Sequence, residues 1–257
     1  VPFSPAPAQS APAPQAPAPA PSPSPSTSLG TEPGPAASPV DGRGITPSEI
    51  VLLRGEAFAP SAGMMNSWKV IGSENKVSGP AFALAALSAA FLAVEQAGSV
   101  RLEDGRKKAT LGLREVDTVN VIPNGSAVNW PAGSYEARIM EIATKGISNR
   151  TPNVRDIVFH LLEEDASVVW DWAVRIGHRG LAQRGLLEAT VEKGLLKSGL
   201  TRYSMPASTA ALLSPDRVAA VQALLNEAQR QRPELMKVLH KEIKSGFSSR
   251  QESADMD

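Results

Sequence analysis

Arg175, Arg179 and Arg184, with His178 among them and Arg202 further along, are the residues whose types and spacing point most directly to chemistry. Each guanidinium presents a planar fork of donors, so several gathered in a cleft suit a phosphate group. The same residues also read as the solvated charges of a helix surface, which need no ligand. On an ideal helix Arg175 and Arg179 share a face while Arg184 lies well round from both. Gly177 and Gly180 interrupt that ideal, which leaves the geometry open. Trp68 is a further candidate. It stands in a stretch rich in Gly, Ser, Asn and Lys, either as a lid on the core or as an exposed anchor for a ligand or membrane.

Other chemistries lack their residues. The three histidines, His160, His178 and His240, sit in separate contexts, and His160 with Glu164 supplies only two ligands of a metal site. No metal and no cofactor is therefore expected. A Gly-rich phosphate loop, a nucleophile elbow and paired zinc spacings are all missing, which points away from an enzyme. There is no cysteine, hence no disulfide framework and no thiolate chemistry. Basic and acidic residues balance at 26 each, without the basic excess of a nucleic-acid binder. That balance argues against a winged-helix-like DNA binder, the reading that helices followed by a short hairpin invite.

The elements that must position the arginines follow from hydropathy. Residues 1–44 are dominated by Pro, Ala, Ser and Gly and carry too little apolar area to offset their ordering entropy, so an extended, disordered tail is expected. Residues 45–247 are expected to form one mostly α domain with short β-hairpins, and residues 248–257 a disordered polar tail. Its centre is Pro80–Glu103, where Ala81–Val94 carries no charge and Leu84, Leu87, Phe91 and Val94 recur at helical spacing. That run falls short of the ~20 residues a bilayer core requires, which predicts a buried core helix. Thr46-Pro47-Ser48-Glu49 reads as a capping box, and Ser134, Ser214-Pro215 and Pro233 mark further helix starts. Asn153–Glu164 reads as a helix, Val168–Gly177 carries Trp170, Trp172 and Ile176, and Leu181–Gly194 reads as another helix that closes before a hairpin over 195–203. Short strands are expected at Val100–Leu102, Thr110–Leu113 and Thr118–Val121.

In order and spacing, ITPSEIVLL at 45–53, AVEQAGSVRLE at 93–103, PAGSYEARIMEIA at 131–143 and RGLLEATVEKGLL at 184–196 resemble the Golgi phosphoprotein 3 family. SPDRVAAVQALLNEA at 214–228 sits where that family has a late helix. The resemblance implies a hydrophobic helix wrapped by amphipathic helices, no enzymatic activity, and peripheral attachment to membranes through phosphatidylinositol 4-phosphate. It also implies a cytoplasmic location, at the Golgi in a eukaryote. The partners it implies are an anionic phosphoinositide membrane and the cytosolic tails of glycosyltransferases, with a homo-oligomer also compatible and no nucleic acid. The family's phosphate site combines a Trp before the hydrophobic helix, an Arg early in that helix, and two Arg one turn apart before a Glu-Lys-Gly turn. Trp68 corresponds to the first, Leu87 falls at the second, and Arg179 and Arg184 each lie one residue from the pair. The expected headgroup-binding residues are thus Trp68, Arg175, Arg179 and Arg184. A protein–protein scaffold of the same fold without lipid binding is the alternative.

Overall fold

Thr46 opens the first helix with the capping box its sequence predicts. The Thr46 N–H donates to Glu49 Oε2 at 2.9 Å and the Thr46 side chain accepts from the Glu49 N–H, while its hydroxyl also donates to Glu136 Oε2 at 2.9 Å, from a different helix. The computed structural model describes residues 44–254 apart from 64–65, 109–114, 126–127, 148–149, 163–167 and 193–199. The chain described is mostly helical with short antiparallel strand pairs. The expectations for the 1–44 tail, for a strand at Thr110–Leu113 and for the tip of the last hairpin fall outside these residues.

Helix α1 (Pro47–Leu53) lies against α2 (Gly79–Gln96), the apolar run singled out by hydropathy. Ala86, Leu87, Ala89, Ala90, Phe91 and Val94 of α2 have no solvent exposure. Helices α3 (Tyr135–Lys145), α5 (Val169–Gln183), α7 (Pro215–Gln231) and α8 (Pro233–Ala254) also pack on α2. Ala-rich composition suits this position, because small side chains let several neighbours approach one helix axis. By length and composition α2 could cross a membrane, but 67% of it is buried inside the protein, the situation of a core helix. Gly98, at φ +68°, ends it in the left-handed conformation that glycine adopts at least cost.

Among the described residues three antiparallel strand pairs accompany the helices. Strand β1 (Ser67–Lys69) pairs with β2 (Lys76–Ser78), within a stretch that the sequence alone reads as loop. Strand β3 (Val100–Lys108) pairs with β4 (Glu115–Pro123) in a register running from Val100↔Pro123 to Lys108↔Glu115, far longer than the expected Val100–Leu102. Strand β5 (Glu188–Glu192) pairs with β6 (Leu200–Ser204).

That last hairpin corrects the sequence reading. The helix expected over Leu181–Gly194 ends in α5 at Gln183, and the chain is already extended from Glu188. Alternation and β-branching in Ala189-Thr190-Val191 outweigh the helix propensity of the flanking Leu, Glu and Lys. Conversely α5 runs unbroken through Gly177 and Gly180, which serve packing. A Cβ at Gly180 would lie 2.1 Å from the Gly133 carbonyl oxygen, and one at Gly177 would lie 2.2 Å from Leu52 Cδ1. Gly180→Ala is expected to destabilise the fold by about 1–3 kcal/mol, the cost of overpacking a site with no flexible neighbour. An unchanged urea midpoint would mean that α5 and the turn at Gly133 separate freely.

The short helices α4 (Val154–Leu161) and α6 (Ala207–Leu212) complete the fold, α4 lying along α8. The polar tail expected from Ser248 is also corrected, since α8 stays helical to Ala254. Its polar residues have partners on α4. Arg155 donates from Nε and Nη2 to Ser249 Oγ at 3.2 and 2.8 Å, and the Arg250 guanidinium lies 5.4 Å from the centre of the Phe159 ring. Gly246 makes the approach possible, since a Cβ there would meet Val158 at 2.8 Å.

Candidate functional site

Trp68 sits on β1 opposite Val77, where a strand holds the indole more rigidly than a loop would. Its ring meets Trp170 edge-on at 6.5 Å between centroids and His178 at 5.8 Å. The Arg175 guanidinium lies 5.5 Å from the Trp68 ring centre, a cation–π contact. Trp170 is seated on the start of α2, where a Cβ at Gly79 would come within 2.0 Å of its ring. From the other side β6 brings Tyr203, whose ring is 5.6 Å from His178. Together Trp68, Arg175, His178, Arg202 and Tyr203, with Lys69 and Glu74 of the β1–β2 hairpin, line a cavity of about 520 Å³.

The charges in this cavity are unevenly committed. Lys69 Nζ donates to both oxygens of Glu74, at 3.0 and 2.9 Å, so that pair cancels. Arg175 donates its Nε to Asp171 Oδ2 at 2.7 Å, one helical turn back. This bond fixes the guanidinium plane and uses one of its five N–H donors. His178 is 1% exposed, and burial pushes its pKa down to about 4, with the Leu52 carbonyl opposing and the Arg175 charge adding. Among the described residues neither ring nitrogen reaches a partner at normal hydrogen-bond geometry. At neutral pH the imidazole is therefore an uncharged ring among aromatics, and the cations of the wall are Arg202 and Arg175, the latter paired with Asp171. Thr201, Tyr203 and Ser204 add hydroxyl groups to the lining. Two guanidinium groups beside an indole and several hydroxyls suit an oxyanion that carries hydroxyls of its own.

Of the four expected site residues the cavity unites Trp68 and Arg175. Arg179 leaves it, lying 5.1 Å from the ring centre of Trp172 instead. Arg184 leaves it too. It caps the C-terminus of α5, donates from Nη1 to the Gly44 carbonyl at 3.0 Å and forms an ion pair with Glu49. The pair is enclosed, with side-chain exposure of 12% for Arg184 and 2% for Glu49. A buried cation offsets the cost of burying the ionised Glu49 carboxylate, and Arg184 turned inward supplies it.

The acid side of that contact is a network. Glu136 has no exposure and accepts from the Ser48 N–H at 3.0 Å, Ser48 Oγ at 2.8 Å and Thr46 Oγ1. Burial, with the Glu49 charge beside it, pushes its pKa up to about 7. Burial also raises the pKa of Glu49, against the lowering effect of Arg184.

Sequence reasoning passed over Tyr203 as a wall of the cavity. Alternation along β6 places Arg202 and Tyr203 on opposite faces of the strand, so no local pattern signals that both line one cavity. Leu87, at the position where the resembling family carries an arginine, is fully buried in α2 and contributes nothing to the cavity. Among the described residues no group of three or more His, Cys, Asp or Glu side chains could hold a metal ion. Compared with protein-family models, with curated proteins and with solved structures, the chain matches none.

Proposed function

We propose that the chain is a non-enzymatic peripheral membrane protein that takes an anionic phosphoinositide headgroup, of the phosphatidylinositol 4-phosphate type, into the Trp68–Arg175–Arg202 cavity. Its architecture on this reading is a Golgi phosphoprotein 3-like one, a hydrophobic helix wrapped by amphipathic helices in a single domain. The observation that carries the reading is the meeting of Trp68, Arg175 and Arg202, from three distant parts of the chain, around one cavity. Guanidinium forks address the phosphates, and the indole fits the interfacial zone of a bilayer. In a eukaryote such a protein acts at the cytoplasmic face of the Golgi as a trafficking or retention adaptor for the cytosolic tails of glycosyltransferases.

Flotation with phosphatidylcholine vesicles, with and without phosphatidylinositol 4-phosphate, tests this. The chain is expected to float only with the phosphoinositide, less so at higher salt. Arg175→Ala with Arg202→Ala is expected to weaken binding at least about tenfold, the loss of two charge-assisted contacts. Equal flotation with neutral vesicles, or an unaffected double variant, would sink the lipid reading. Leu87 at the helix position of the family's arginine favours the alternative, a protein–protein scaffold of the same fold. That alternative gains if partner capture by residues 45–254 survives in the same double variant while flotation never occurs.

A further inference from the structure

A second cavity, of about 800 Å³, lies between strands β3 and β4, Ile147 and residues 150–153, α4 and α8, and shares no residue with the first. Its wall holds five Lys or Arg side chains against three carboxylates. One of the carboxylates is already neutralised. Glu242, 4% exposed, accepts from Lys107 Nζ at 2.8 Å and from the Val119 N–H at 3.1 Å. Asp156 accepts from the neutral amide of Asn153 at 2.8 Å and keeps its charge, as Asp117 does, so the cations exceed the carboxylates by two. Arg155 spends its donors on the neutral hydroxyl of Ser249, which leaves its charge uncompensated. Arg150 and Lys241 are exposed at the rim, and among the described residues neither has a carboxylate within ion-pair distance.

Arg150, Arg155 and Lys241 reach this cleft from three different elements. Like charges brought together in a concave wall raise one another's energy unless a counter-charge enters, and the low-dielectric walls focus the resulting field. Thr118 adds an independent sign. It lines the same cleft, is 2% exposed, and its hydroxyl has no hydrogen-bond partner among the described residues. A buried hydroxyl is nearly always satisfied, so one left open at a cavity wall awaits a ligand or water.

We propose that this cleft is a binding site for a phosphate-bearing anion, held by Arg150, Arg155 and Lys241, with the Thr118 hydroxyl as a further contact. The Lys107–Glu242 pair forms a fixed part of the wall and makes no net contribution to the charge. The site is independent of the Trp68–Arg175–Arg202 cavity, and each stands or falls without the other.

Calorimetric titration with pyrophosphate tests the assignment on the wild type, on Arg150→Ala with Lys241→Ala, and on Arg175→Ala with Arg202→Ala. Both substituted pairs are at or near the surface, and a melting curve checks that each variant is folded. The wild type and the Arg175/Arg202 variant are both expected to bind, more weakly as salt rises, and adding Arg150→Ala and Lys241→Ala to the Arg175/Arg202 variant, in which the first cavity no longer contributes, is expected to weaken the remaining binding at least about tenfold. Lys241→Glu, which reverses a single charge, is expected to weaken binding in the same direction. Absence of binding by the Arg175/Arg202 variant at millimolar pyrophosphate would overturn the proposal, as would undiminished binding once Arg150→Ala and Lys241→Ala are added to it. Vesicles of phosphatidylcholine with phosphatidylinositol 4-phosphate identify the source of the phosphate. Flotation lost in the Arg150/Lys241 variant assigns the cleft to a lipid headgroup, and flotation retained assigns it to a free phosphate compound.

Discussion

Replacing Arg184 with alanine is expected to lower the unfolding free energy by about 3–5 kcal/mol, the usual cost of stranding one partner of a buried ion pair. The guanidinium holds Glu49 at the start of α1 and the Gly44 carbonyl, so one substitution releases two contacts. Glu49, 1% exposed and with its pKa already raised by burial, would be left without its cation. The loss should be greatest at alkaline pH, where Glu49 cannot escape by taking up a proton. Adding Glu49→Gln should recover part of it, because an amide needs no counter-charge. Urea unfolding of the two single variants and the double variant measures the coupling. Additive effects, or an Arg184→Ala midpoint equal to that of the wild type, would rule out the buried pair. The same experiment separates a structural arginine from a headgroup ligand, since only a ligand would impair flotation without moving the midpoint.

Glu136 leads to a second large effect, on the pH dependence of stability. Its pKa in the folded chain is about 7, against an ordinary value of 4.5. The folded state therefore binds more protons than the unfolded state between those values. By linkage, stability is fully present below about pH 4.5 and declines as pH rises to about 7, by about 3 kcal/mol from this carboxyl alone. His178 works in the opposite sense below its ordinary 6.5, because its folded pKa is only about 4. The wild-type curve by itself mixes the two effects. The difference between the wild type and Glu136→Gln isolates the carboxyl. Glutamine keeps an oxygen for the Ser48 N–H, and its amide can donate to the Thr46 and Ser48 hydroxyls once these rotate. The variant should match the wild type near pH 4.5 and exceed it by about 3 kcal/mol at pH 8. Parallel pH profiles for the two proteins would contradict the assignment.

These two effects rest on contacts that no local pattern reveals. Glu49 and Arg184 are 135 residues apart, and an arginine at a helix end looks the same in sequence whether it faces solvent, a phosphate or a buried acid. The apolar run of α2 was legible because burial on all sides requires an uncharged segment, and that requirement is written residue by residue. The starts of α3 and α7 were legible for a similar reason. Ser134 and Ser214 accept from backbone N–H groups three residues on, which is short-range chemistry. The β5–β6 hairpin was half legible. Leu200–Tyr203 alternates visibly, but β5 lies inside a stretch of helix-forming residues, and only its pairing with β6 makes it a strand. The candidate cavity was legible in its arginine and its tryptophan, and illegible in its boundary. Which of Arg175, Arg179 and Arg184 shares a wall with Trp68 depends on the rotation of α5 about its own axis.

That rotation is set by what α5 lacks. Gly177 and Gly180 bring the helix down against Leu52, Tyr135 and the backbone at Gly133, close enough that no side chain fits between. At about 100° per residue, Arg175 and His178 project from nearly the opposite side of the same helix. A cylinder keyed so tightly along one edge can neither roll nor slide, so the aim of its far edge is fixed as well. The two glycines thus act on the cavity without touching it, as the fence behind a workpiece sets the line of the cut.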